Sequence, residues 1–118
     1  MAENREKQYD LEERTFIFAK RCKDLVRKLP KSTSNFEYGK QLIRSSGSQA
    51  ANYIEANEAL SKRDFLMRIK ISRKEAKESG LWLRLIDVLP EDISEQKSLM
   101  QESKELSKIF GAIVEKCK

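Results

Sequence analysis

Seven basic side chains in the third quarter of the chain carry the clearest chemistry in the sequence: Lys62, Arg63, Lys70, Arg73, Lys74, Lys77 and Arg84. At about 100° per helical residue they project within roughly a third of a helix circumference, and of that segment's cations Arg68 alone falls outside. Cations in such a row suit a phosphate backbone, because each phosphate neutralised releases condensed counterions and binding becomes steeply salt-dependent. Neither a recognition-helix motif nor an aromatic RNA-binding signature accompanies them, so this binding would be blind to base sequence. The plainer reading is a solvated bundle face whose Lys and Arg stems cover an apolar flank.

Catalytic groups are scarce. Histidine is absent from the 118 residues, which removes the commonest general base and metal ligand, and with it the usual nucleophilic triads. Cys22 and Cys117 lie far apart and cannot hold zinc without carboxylates. Glu55, Glu58, Glu75 and Glu78 could pair across two helices, but a carboxylate di-metal site in a bundle uses Glu-x-x-His motifs, which the sequence lacks. The expectation is a non-enzymatic protein with no metal and no cofactor. Ser45-Ser46-Gly47-Ser48 lacks the glycine spacing and the Lys-Ser/Thr pair of a phosphate loop. Small residues there, with Ala50 and Ala51, are better read as letting two helix axes approach closely. Asn52 and Glu55, one helical turn apart, could meet Glu78 on a neighbouring antiparallel helix as a structural polar link.

The elements that must position these groups are helical. Only four Gly and two Pro stand beside 36% charged and 39% hydrophobic residues, a profile of long amphipathic helices in one domain spanning 1–118. After a polar segment 1–8 expected to fray, Leu11, Thr15, Phe18, Ala19, Cys22, Leu25, Val26 and Leu29 share one helical face up to Pro30. Ser34 and Glu37 form a capping box that predicts the second helix, with Phe36, Gly39, Leu42, Ile43, Ser46, Ala50, Tyr53 and Asn57 inward. Ser61 and Asp64 repeat the pattern and open a third helix to about Leu89, with Phe65, Ile69, Ser72, Ala76, Ser79, Leu83 and Ile86 inward. Pro90 ends it, and acidic Glu91 and Asp92 suit the positive end of a fourth helix. That helix presents Gln96, Leu99, Met100, Ser103, Leu106, Phe110, Ile113, Val114 and Cys117 on one side. Turns this short predict an all-α, antiparallel up-down-up-down four-helix bundle.

The net charge of +5 divides as +2 over 1–30, 0 over 31–60, +4 over 61–90 and −1 over 91–118, which concentrates the excess on the third helix. Phe16, Ile17, Met67, Ile71, Trp82 and Leu85 fall off the inward stripes, a surplus of apolar surface that predicts contacts between copies on flanks opposite the cations. The charged start of the chain and the lack of a long apolar run predict a cytoplasmic protein that makes no use of a membrane.

The run Arg44-Ser45-Ser46-x-Ser48-x-Ala50-Ala51-Asn52-x-x-Glu55, then Ser61-Lys62-x-Asp64-Phe65 and Ile71-x-Arg73-x4-Glu78, resembles the four-helix-bundle proteins encoded in intervening sequences of bacterial 23S ribosomal RNA genes. The family's Asn-Ile-Ala-Glu-Gly stands here as Asn52-Tyr53-Ile54-Glu55-Ala56, and its Ala-x-Gly-Ser-x-x-Glu as Ser72-Arg73-Lys74-Glu75-Ala76-Lys77-Glu78. The chain is similar also to the accessory subunit of diversity-generating retroelements, a basic pentameric barrel that engages a reverse transcriptase and nucleic acid. These resemblances imply a homopentamer of bundles with a positive surface, and RNA or a protein as partner.

Overall fold

The computed structural model describes the backbone from Ala2 and the side chains from Leu11 onward. Fraying over residues 1–8 was expected of a stretch whose side chains lie outside that range. Four helices follow one another: α1 (Ala2–Arg27), α2 (Thr33–Asn57), α3 (Lys62–Leu85) and, after a 3-10 turn at Pro90–Asp92, α4 (Ile93–Lys116). They form an antiparallel up-down-up-down bundle measuring 45 × 24 × 19 Å, with α1 beside α2 and α4, and α3 beside the same two. The core is a column of Phe18, Cys22, Leu25, Leu42, Ile69, Leu83, Leu99, Leu106 and Phe110. Tyr53 crosses it to meet Phe110, ring centroids 6.0 Å apart.

The α2–α3 seam is built from small side chains. Ser45 and Ser79 hydroxyls lie 2.8 Å apart, and Ser72 donates to the Gln49 carbonyl at 2.9 Å. Close approach explains Ser45 and Ser46, both buried; Gly47 instead faces open space and takes no part. Gly39 plays the equivalent role toward α1, where a Cβ would lie 3.0 Å from Val26 Cγ1.

Three details depart from the sequence-based expectations. Helix α2 is capped by Ser32, whose Oγ accepts from the Asn35 amide at 3.1 Å, while Ser34 lies inside the helix. Its inward stripe runs through Asn35, Gly39, Leu42, Ser46, Gln49, Tyr53 and Ala56, which leaves Phe36 and Ile43 exposed. Asn35 displaces Phe36 from the interior because its amide stitches two loops together. Nδ2 donates to the carbonyls of Pro30 and Asp87, and Oδ1 accepts from the Asp87 amide at 2.9 Å. A buried polar side chain that satisfies three otherwise orphaned backbone groups is favoured over an apolar one that would satisfy none. Helix α3 stops at Leu85, short of the expected Leu89, because Asn35 takes the Asp87 amide and Gln96 Nε2 donates to the carbonyls of Leu83 and Ile86. The Ser61 cap forms as expected, accepting from the Asp64 amide at 3.1 Å.

Candidate nucleic-acid interface

Lys62, Arg63, Lys70, Lys74, Lys77 and Arg84 are exposed along α3, and Arg73 is half-buried toward α4. None of the seven has an ion-pair or hydrogen-bond partner among the described residues. Two of the three acids of α3 are turned elsewhere: Arg44 of α2 holds Glu78 at 3.0 Å and Glu75 at 3.4 Å, while Asp64 in the first turn stays beside Lys62, Arg63 and Lys70.

Helix α4 extends the basic face, which the segment charges concealed. Its Glu95, Glu102 and Glu105 point toward α1, where Arg21 and Arg14 take Glu95 and Glu102 in forked pairs at 2.7 to 3.0 Å and Arg14 donates one further bond to Glu105 at 3.1 Å. Hydrogen bonding to these carboxylates, partly offset by desolvation, raises both guanidinium pKa values. Lys104 and Lys108 fall on the opposite side of α4, beside α3. With Lys77 and Arg84 they rim a groove of about 390 Å³ floored by Gly80, Leu81, Met100, Ser103 and Ser107. The groove exists because the helices nearly touch: a Cβ on Gly80 would lie 2.6 Å from Ser103 Oγ. Arg73 continues the line, its guanidinium and Cδ each 3.7 Å from where a Cβ on Gly111 would stand. Lys104 and Lys108 could have been found from sequence by sorting the charges of α4 by face.

Sites read as separate turn out to be mixed. Met67 lines a second depression, of about 740 Å³, with Lys62, Arg63, Asp64, Leu66 and Lys70. Met67 is 47% and Leu85 40% exposed, on the same outward side of α3 as the cations and not on flanks opposite to them. Phe16 and Ile17 on α1 are 54% and 45% exposed. Ile71 is half-buried, and Trp82 packs within its own chain, stacked on Tyr38 at 5.8 Å with its Nε1 buried. Helix α2 adds surface: Phe36 and Ile43, which the sequence had assigned inward, are exposed and border a cleft of about 750 Å³ with Val26 and Leu29, and Ile54 is exposed as well.

Asn52, Glu55 and Glu78 are not brought together. Asn52 accepts from Arg68 at 3.1 Å and donates to Ser48, Glu78 pairs with Arg44, and Glu55 is exposed. The antiparallel register sets Glu78 opposite residue 44, eight residues and therefore about 12 Å along the helix from Asn52. Both residues still tie α2 to α3, each through an arginine.

Among the described residues no three His, Cys, Asp or Glu side chains gather as a metal site, and no helix is long and apolar enough to cross a membrane. Curated proteins yield no match. A crystal structure of a protein of unknown function from the S23 ribosomal protein family of Bacteroides thetaiotaomicron is similar to this chain. It has 30% sequence identity and a TM-score of 0.78, covering 92% of this chain and 98% of that one. The family model described as 23S rRNA-intervening sequence protein matches residues 7–112, so the chain belongs to that family.

Proposed function

We propose that the protein is a non-enzymatic, oligomeric module that binds RNA through the cationic face shared by α3 and α4. The observation that carries this reading is the sorting of charge. Nine cations, the seven of α3 with Lys104 and Lys108, lie on adjoining helix faces and have no carboxylate partner among the described residues. Of the acids on these helices, Glu75, Glu78, Glu95, Glu102 and Glu105 are engaged by arginines on α1 and α2, which leaves Asp64 in the first turn of α3 and Glu115 in the last turn of α4 outside that arrangement. An unneutralised row of this kind attracts a polyanion through counterion release. Copies associate through exposed apolar residues of α1 and α2, five to a ring as the resemblance to the retroelement accessory subunit implies, and the cytoplasm is the setting that keeps Cys22 and Cys117 reduced. RNA binding measured at two salt concentrations, for wild type and for Lys70, Arg73, Lys74 and Lys77 changed together to Glu, tests it. The variant should lose binding and flatten the salt response by about one unit of slope per lost phosphate contact. Unchanged binding, or a flat response in the wild type, overturns the reading.

A second reading, an assembly scaffold that binds its own copies and a protein partner without nucleic acid, is favoured by the exposed α2 strip of Phe36, Ile43 and Ile54. Native mass measurement with and without RNA separates the two. A monomer at micromolar concentration removes the oligomer from both.

A further inference from the structure

We propose that the α3–α4 groove seats an unpaired nucleotide, so that this face selects single strands over duplex. The inference rests on the nucleic-acid reading above and narrows it to one class of ligand.

A face that read phosphates alone would need only cations. Here the cations border an apolar floor: Leu81 is exposed between Lys77 and Arg84, and half-buried Met100 of α4 lines the same groove. Exposed apolar surface amid charge is unfavourable in water and is relieved by a ligand with an apolar face and anionic edges. An unpaired nucleotide has that composition, with a flat base and flanking phosphates. The groove volume of about 390 Å³ lies at the small end of the range that takes such groups. In a duplex the bases are stacked inward, and only the phosphate ridges could reach the rim.

The floor also offers hydrogen-bond acceptors. Ser103 and Ser107 donate their hydroxyl protons to the carbonyls of Met100 and Ser103, at 3.1 and 2.8 Å, so their oxygen lone pairs remain for an amino or hydroxyl group of the ligand. The depression at the start of α3 has a related lining, with Leu66 and Met67 among Lys62, Arg63 and Lys70, and differs in the carboxylate of Asp64. A strand laid along α3 would pass both hollows and cross Arg73 between them.

The test uses the full chain and fluorescence anisotropy at one fixed salt concentration. The probes are a twelve-nucleotide single-stranded RNA, the DNA of the same sequence, and a blunt duplex carrying the same number of phosphates per strand. Single strands should bind on the order of tenfold tighter than duplex, as one base–protein contact implies. Leu81→Gln, at an exposed position, should erase most of that preference while leaving duplex affinity and the salt slope of the wild type. RNA and DNA strands binding alike support a seat that reads base and phosphate. Tighter RNA binding supports it too and adds the 2′-hydroxyl as the group received by Ser103 or Ser107. Equal affinity for single strand and duplex, with the salt dependence intact, overturns the seat and leaves the RNA reading standing. Failure to bind any of the three probes overturns both.

Discussion

Replacing Gly80 by alanine isolates the contact that forms the groove. A Cβ there would lie 2.6 Å from Ser103 Oγ but 3.7 Å from Ser103 Cβ, so one hydroxyl oxygen carries the whole conflict. Ser103 is buried, and its Oγ donates to the Met100 carbonyl at 3.1 Å. To admit the methyl group the hydroxyl must rotate away, which costs about 1 kcal/mol for the lost bond and up to about 3 if the oxygen finds no other partner. Alanine is better than glycine inside a helix by about 1 kcal/mol. Gly80→Ala alone should therefore be neutral to destabilising, by up to about 2 kcal/mol. With Ser103→Ala already present the clash is gone and the propensity gain remains, so the same substitution should stabilise by about 0.5 to 1 kcal/mol. The double-mutant cycle then has a coupling of about 1 to 3 kcal/mol, above the 0.3 to 0.5 or so of additive scatter. Urea unfolding of the four proteins reads it, at one protein concentration because association shifts apparent stability. An additive cycle, or stabilisation by Gly80→Ala in the Ser103 background, would refute the packing argument. The double variant keeps the helices together with a methyl group in the groove floor, and should weaken single-strand binding without unfolding the bundle.

Cys22 is expected to make the protein alkali-sensitive. Burial pushes its thiol up to about 12, the Ser46 hydroxyl offsetting part of the effect. Between about pH 8.5 and 12 the unfolded chain has released a proton that the folded chain still holds, so stability falls as pH rises, by about 1.4 kcal/mol per unit for this group. The slope of unfolding free energy above pH 9 should be shallower in Cys22→Ala than in wild type, and equal slopes would refute the assignment. The forked Arg14–Glu102 pair, with both contacts at 2.8 Å and side chains 38% and 17% exposed, should show a coupling of about 0.5 to 1 kcal/mol in an alanine cycle. That coupling should shrink in molar salt, and a salt-independent value would contradict the exposure seen here.

The inward stripes of α3 and α4 could be read from sequence because their buried positions are mostly apolar or small and recur at helical spacing. The phase of α2 could not, since Asn35 is buried by hydrogen bonds to residues in two other segments, a cause that periodicity does not register. The end of α3 was missed for the same reason. Pro90 marks where a helix must stop, but Asn35 and Gln96, supplied from α2 and α4, satisfy the backbone several residues earlier. Trp82 was misplaced because its partner Tyr38 lies 44 residues away on α2, and the width of an apolar surface on one helix does not say how many neighbours cover it.

The basic face was legible only in half, and the missing half follows from how charge is distributed around a helix rather than along it. The last segment sums to −1, which suggests a helix of no interest to a polyanion. In the folded chain its carboxylates at 95, 102 and 105 are drawn to the guanidinium groups of α1, and its lysines at 104 and 108 are left beside α3. Solvent-exposed pairs of this kind contribute about 0 to 1 kcal/mol each, too little for stability to be their main consequence. Their larger effect is on the surface field: each carboxylate engaged by an arginine on α1 or α2 is one fewer negative charge beside the groove, and a row of cations within a Debye length of about 10 Å acts on a ligand collectively. A strongly basic helix and one with no net charge thus present a single positive face, because the bundle sorts their side chains by neighbour.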